Sequence, residues 1–266
     1  MPQGLLEGKH GVVLGVANEK SIAWGCAQAC AHAGARLTFN YPAPTFEKRV
    51  RKLAETLENA SAYPCDVTDD GQIREFFEQV RQDHGKLDFV IHSVAYAERE
   101  DLKNPFVETP RRNFQRALDV SAYSLVAVAR EAAALMEEGG SIAAMTYYGS
   151  EKVIPNYNVM GVAKAALEAS ARYLAHDLGP RGIRVNCISA GPLPTLSASA
   201  ISGMRRMLEL TEKNAPLRRN VTQEDVANAA VYLVSDLSTA VTGEVLHVDS
   251  GFNILGMGGE SAPREA

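Results

Sequence analysis

Short apolar runs rich in β-branched residues alternate with longer amphipathic segments along this chain. HGVVLGV, at residues 10–16, reads as a buried parallel strand, because both faces of such a strand are covered and polar residues do not alternate in. The turn ANEKS and the helical run IAWGCAQACAHAG follow, then a second strand, ARLTFN. TFEKRVRKLAETLENA reads as a helix, SAYPCDV as a third strand, and DDGQIREFFEQVRQDHG as an acidic helix with Thr68 the expected N-cap. KLDFVIHSV is the fourth strand, and residues 109–138 read as largely helical. GSIAAMTYY, GIRVNCISAG and GEVLHVDSGF complete seven strands. YNVMGVAKAALEASARYLAHDL and VTQEDVANAAVYLVSDL read as helices between them, the second with Thr222 as N-cap. Residues 192–219 show only weak periodicity. Strands and helices alternating at this length predict right-handed βαβ units, and so a Rossmann-type, doubly wound parallel α/β sheet of about seven strands. With 266 residues and no repeat or linker, one domain over residues 1–266 is expected, with a loose tail at 258–266.

Composition narrows the function classes. Apolar residues make up 46% of the chain, enough for a sizeable core, yet no run of 18 apolar residues predicts a membrane span. The opening stretch, MPQGLLEGKHGVVLG, lacks a charged segment followed by a long apolar one, so no secretory signal is expected and the expected compartment is the cytoplasm. A net charge of −5 argues against general nucleic-acid binding. Cys26, Cys30, Cys65 and Cys187 form no CxxC pair and the six histidines show no ligand spacing, so buried thiols and no metal site are expected.

Candidate chemistry collects at Tyr147–Lys164, YYGSEKVIPNYNVMGVAK. If Tyr157 and Lys164 share one helix that starts near Pro155, their spacing of seven is roughly two turns, with both side chains on one face about 10 Å apart. A phenol so placed can donate to an oxygen gaining charge in a transition state, and an ammonium can hold a cofactor hydroxyl and favour the phenolate.

Ligands of a doubly wound sheet sit beyond the carboxyl ends of its strands. Gly15 opens GVANEKSIAWG, which is not a GxGxxG fingerprint. It puts Gly15 at a tight turn, Ser21 at a helix start whose amides suit a pyrophosphate, and Gly25 where a helix lies close to a strand. An ordinary glycine turn also explains Gly15. The second strand ends Asn40-Tyr41-Pro42, with neither the acid that holds a ribose 2′-hydroxyl nor the base that meets a 2′-phosphate; Glu47, Lys48 and Arg49 lie further on. After the third strand, Asp66 of Cys65-Asp66-Val67 suits either an adenine amino group or a helix cap. His92-Ser93-Val94-Ala95 ends the fourth with mostly small residues past which a cofactor can run.

Together these pieces resemble the short-chain dehydrogenase/reductase superfamily. Its commoner members separate the active tyrosine and lysine by three residues and carry a serine about thirteen before the tyrosine; here those positions hold Gly161 and Ala144. The wider Tyr-x6-Lys spacing is similar to the NADH-dependent enoyl-acyl-carrier-protein reductases of bacteria. So are GVANEKSIAWG, CDV at 65–67, HSVAYA at 92–97, TYYG at 146–149, IPNYNVMGVAKAALEA at 154–169, RVNCISAGPLPTLSAS at 184–199 and GEVLHVDSGF at 243–252.

The resemblance implies roles. Tyr157 would hydrogen-bond the substrate's thioester oxygen, Lys164 would hold the nicotinamide ribose, and Tyr147 would stand beside the substrate with Ala97. Gly15, Ser21, Ile22, Asp66, Val67, Ser93, Val94, Leu193, Thr195 and Ser197 would meet the cofactor. It implies NADH as cofactor, acyl carrier protein as the partner bearing the substrate, and a homotetramer. Arg205 and Arg206 match basic positions at which the carrier would dock. The Ser- and Ala-rich segment at 193–210 is expected to act as a lid. Two other functions share the fold: a 3-oxoacyl or other carbonyl reductase, and a non-catalytic NAD(H)-binding regulator.

Overall fold

The computed structural model describes residues 4–195 and 203–256. Seven parallel strands form one sheet in the order β3-β2-β1-β4-β5-β6-β7. They are β1 (His10–Leu14), β2 (Arg36–Tyr41), β3 (Ala60–Pro64), β4 (Phe89–His92), β5 (Gly140–Thr146), β6 (Ile183–Ala190) and β7 (Val245–Val248). The helices are α1 (Ile22–His32), α2 (Pro44–Ala54), α3 (Asp70–His84), α4 (Arg111–Leu118), α5 (Ser124–Leu135), α6 (Val159–Leu178), α7 (Met204–Asn214) and α8 (Gln223–Val234). The expected doubly wound sheet is therefore present. Strand order reverses between β1 and β4, which makes the ends of these two strands the switch point.

Alternate residues of each strand feed two cores. Val13, Phe89, Ile91 and Ala143 pack with α1, α2 and α8 on one face. Val12, Leu14, Val90 and Ile142 pack with α3, α5 and α6 on the other. All four cysteines are buried free thiols. Between α4 and α5 the helix widens into one π turn, Asp119–Tyr123.

Several local expectations change. Asp69, not Thr68, caps α3: its carboxylate accepts from the Gly71 and Gln72 amides. A carboxylate is the stronger acceptor for helix N-terminal amides, and Thr68 is drawn instead to Asp66. Thr222 does cap α8, in a capping box with Asp225. Gly25 closes on Gln223 of α8 rather than on a strand, since a Cβ there would lie 2.3 Å from that side chain. The Gln223 amide caps the turn before α1 by donating to the carbonyls of Glu19 and Ser21. The weakly periodic stretch at 192–219 contains α7. Ser197, the middle of the expected lid (196–202) and the tail at 258–266 lie outside the described residues.

One buried side chain ties three strand ends together. Asn40, at the carboxyl end of β2, accepts from the Gly15 amide at 3.0 Å and donates to the Cys65 carbonyl at 2.9 Å. Replacing Asn40 with Ala leaves a buried donor and a buried acceptor unpaired, each costing about 1–3 kcal/mol. Chemical denaturation should show a lower midpoint with an unchanged slope; an unchanged midpoint would mean water replaces both bonds.

Candidate active site

The site is assembled at the carboxyl ends of β1, β4, β5 and β6. Gly15 follows β1 with φ +95, and a Cβ there would lie 2.2 Å from the Ser93 carbonyl oxygen. Only glycine permits both that backbone and that approach. It brings Gly15, Ser93 and Val94 together at the switch point. Ser21 precedes α1 as its N-cap residue, but its hydroxyl donates to the Asn18 carbonyl and leaves the first-turn amides uncapped by a side chain. Ile22, Leu193 and Thr195 join Lys20, Val221 and Gln223 around a cleft of about 390 Å³. Of the two readings of Asp66 the helix cap is overturned, since Asp69 caps α3 and one Asp66 carboxylate oxygen holds both the amide and the hydroxyl of Thr68. Val67 beside it is buried. An open glycine turn, uncapped helix amides and a cleft beside them fit a dinucleotide's pyrophosphate.

Tyr157 does not lie on α6. It sits in the turn 155–158 just before it, so Tyr157 and Lys164 do not form two turns of one helix. Asn156 (φ 66) and Asn158 (φ 43) hold left-handed backbone, which asparagine tolerates better than most residues, and they keep the helix from starting earlier. The Asn158 amide fastens this turn by donating to the Asp101 and Asn104 carbonyls. The turn points the Tyr157 ring inward, where it packs edge-on against Tyr147 with centroids 4.9 Å apart. Leu102, Met160, Ala97 and Ile154 complete this small apolar cluster. Among the described residues no group hydrogen-bonds the Tyr157 hydroxyl, whereas the Tyr147 hydroxyl donates to Met207 Sδ on α7.

Two glycines make room for the tyrosine. A Cβ at Gly149 would lie 2.4 Å from the Tyr157 ring, and one at Gly161 would lie 2.6 Å from the Gly149 carbonyl oxygen. Position 161 cannot carry a lysine unless this contact opens. Lys164, one turn further along α6, reaches the sheet instead and donates to the Met145 carbonyl at 2.7 Å.

Burial sets the charge states. It pushes the Tyr157 phenol far above its ordinary range, with Tyr147 and Glu168 adding to the effect. Burial, and then the nearby Asp249 carboxylate, push Tyr147 up to about 12. Both rings are hydrogen-bond donors at neutral pH. Burial pulls Lys164 down to about 8, opposed by Cys187 and Glu168.

Three further side chains shape the site: His92, read in the sequence only as part of a strand end, and Ser121 and Glu168, which the sequence reading passed over. His92, wholly buried, meets Ser124 Oγ at 2.8 Å; Ser124 donates to the Val120 carbonyl, so His92 carries its proton on Nε2. Burial and then Lys164 pull His92 down to about 3, which keeps it neutral. Ser121 in the π turn binds both the amide and the carbonyl of Tyr96, next to Ala97. Glu168 is buried on α6 and accepts from Thr146 Oγ1 at 2.6 Å. A carboxylate four residues after Lys164 on an apolar helix face is the signal that could have found it.

Comparison with known proteins agrees with this geometry. The sequence model of a family described as enoyl-(acyl carrier protein) reductase matches residues 15–253. An NADH-type enoyl-[acyl-carrier-protein] reductase of Rhizobium meliloti is 54% identical over 260 residues, covering 98% of this chain and 96% of that protein. Its counterpart in Bacillus cereus is also 54% identical, over 95% of this chain and 99% of that protein. Among solved structures, the Anaplasma phagocytophilum reductase in complex with NAD superposes with a TM-score of 0.94 at 49% identity, covering 97% of this chain and 99% of that one. The Bacillus cereus reductase with NADP+ and indole naphthyridinone also gives 0.94, at 53% identity over 96% of this chain and 100% of that one. With Gly161 excluding the commoner lysine position and Lys164 in the wider one, this chain belongs to the family of NADH-dependent enoyl-[acyl-carrier-protein] reductases.

Proposed function

We propose that the protein acts as a single catalytic domain that reduces the carbon–carbon double bond of a trans-2-enoyl chain carried on acyl carrier protein, in fatty-acid elongation. The observation that carries this reading is the burial of both Tyr157 and Lys164 beside the end of β5, Tyr157 in the space that Gly149 leaves open and Lys164 on the Met145 carbonyl. NADH, when bound, supplies the hydride, which adds to the β-carbon. The electron pair of the double bond shifts onto the thioester oxygen as an enolate. Tyr157, a phenol with a free hydroxyl that burial keeps protonated, donates a hydrogen bond to that oxygen. Protonation of the α-carbon completes the saturated acyl chain. Lys164 as an ammonium holds the nicotinamide ribose, and Tyr147 and Ala97 wall the substrate. Gly15, Ser21, Ile22, Asp66, Val67, Ser93, Val94, Leu193 and Thr195 line the cofactor's path.

Further parts of the reading concern assembly. No described helix is long and apolar enough to cross a membrane, and we place the enzyme in the cytoplasm with its carrier. A homotetramer is supported by apolar side chains exposed on the single chain: Val162 and Tyr173 on α6, and Leu237 and Ile254 near β7. A carbonyl reductase remains the alternative on this fold. Crotonyl and acetoacetyl thioesters, offered side by side while the NADH absorbance is followed, separate the two: consumption with acetoacetyl alone would replace the reading. A chain that binds NADH and consumes neither would be the non-catalytic regulator.

Replacing Tyr157 with Phe keeps the ring and removes the donor. Turnover with an enoyl thioester should fall about 10²–10³-fold while NADH affinity changes little. Near-normal turnover would transfer the donor role to Tyr147.

NADH is expected to give a higher kcat/KM than NADPH, because no cation follows directly after β2. Arg49 reaches across from α2 to the Ala17 carbonyl at 3.4 Å, so it is the cation best placed to meet a 2′-phosphate. A measured preference for NADPH would assign it that role, with Lys48 the next residue to test.

Arg205 and Arg206 are exposed on α7, whose Met207 touches Tyr147. Among the described residues Arg205 pairs with its neighbour Glu209, at 3.1 Å. An acidic carrier meeting an enzyme of net charge −5 needs a local basic patch to dock. Changing both arginines to Glu should lower kcat/KM for a carrier-bound enoyl chain more than for crotonyl-CoA, with a flatter salt dependence. An equal effect on both substrates, or none, would move the docking site to Arg218 and Arg219.

A further inference from the structure

Glu168 has no part in the reaction proposed for Tyr157 and Lys164. It is a carboxylate only 6% exposed, on a face of α6 whose other buried side chains, Lys164 apart, are apolar. Among the described residues no cation lies within ion-pair distance of it. Arg172, one turn further on, is exposed. A buried carboxylate with a single hydroxyl donor is costly and calls for a compensating role.

The neighbours of Glu168 suggest that role. Lys164 precedes it by four residues, so the two side chains leave the same face of α6 with β-carbons about 6 Å apart. Lys164 is itself only 5% exposed and also lacks an ion-pair partner among the described residues. The end of β5 holds both groups: Met145 receives the lysine through its carbonyl, and Thr146 donates its hydroxyl to the glutamate. The other titratable groups around the lysine carry no charge at neutral pH. Cys187 on β6 is a thiol pushed up to about 12 by burial, His92 at the end of β4 is neutral, and Tyr157 is a phenol. Among the described residues Glu168 is thus the carboxylate that acts on Lys164.

We infer that Glu168 is the counter-charge that keeps Lys164 an ammonium at the water-poor end of the sheet, and so sets the pH range over which this lysine can hold the cofactor ribose. The inference rests on the ribose-holding role of Lys164 proposed above. Glu168 touches neither substrate nor cofactor; it is a positioning residue that acts through the lysine. The sign follows directly. The ammonium is the binding form, so affinity for NADH is full below the lysine's titration and is lost as pH rises through it. Removing the glutamate charge moves that loss to lower pH.

The test uses full-length protein labelled with ¹³C at the lysine ε-carbon, with no substrate or cofactor present. The Lys164 resonance is assigned by its absence in Lys164→Arg. In the native protein its midpoint should lie near 8. Glu168→Gln keeps an acceptor for Thr146 and removes the charge; its midpoint should fall by about one pH unit. At pH 8 the charged fraction then drops from about one half to about one tenth, so NADH affinity, read by fluorescence titration, should weaken about fivefold. An unchanged midpoint in Glu168→Gln overturns the inference. If the glutamine variant does not fold, Glu168→Met removes the charge with an apolar chain of similar length and is read the same way. A native Lys164 already neutral at pH 7 overturns the inference with no variant at all. Because the resonance is read without substrate, a failed enoyl reduction assay leaves this result standing, and the reverse also holds.

Discussion

Three successive residues at the end of β5 govern the chemistry of the whole site. The Met145 carbonyl takes the Lys164 ammonium, the Thr146 hydroxyl takes the Glu168 carboxylate, and the Tyr147 ring supports Tyr157. A strand alternates its side chains between faces, but its carbonyls lie in the sheet plane. The strand end can therefore serve a helix below it and a turn above it at once. Met145 and Thr146 are paired with Ile188 and Ser189 of β6, which fixes two of these three anchor points in the sheet.

The general plan of the molecule was legible because it depends on periodicity. Apolar runs at strand length, alternating with amphipathic helices, leave few alternatives to a doubly wound sheet, and the ligand end follows from topology. Misread details came from choices among near-equal local options. Asp69 and Thr68 are both N-cap residues, and only the position of Asp66 decides between them. Tyr157 stands just before a run of good helix formers, yet two asparagines with positive φ hold it outside α6. No helical pattern shows that, because the decisive bonds from Asn158 reach a loop more than fifty residues away. Glu168 was hidden for a different reason: a lone glutamate in a helix ordinarily faces water, and its burial appears only when the helix is docked.

The site mixes two electrostatic regimes. Around Tyr157 the surroundings are largely apolar and the phenol stays neutral, a fixed dipole that suits the donor role proposed for it. Around Lys164 a full charge is retained under nearly the same burial. The Glu168 carboxylate acts in the same direction on both, favouring the neutral phenol and the charged ammonium under nearly equal burial.

The clasp formed by Asn40 also shapes how coenzyme choice can change over time. In many dinucleotide folds the residue closing the second strand is free to become an acid or a base as metabolism requires. Here the side chain at that strand end is already committed to holding the glycine turn against β3, and Pro42 just beyond it offers no polar group. A lineage that shifted its reductant would have to do so from the exposed face of α2, opposite the Val50, Leu53 and Ala54 that it buries in the core. Selection on cofactor supply should therefore leave its marks on that helix, while the strand end beside it stays the same.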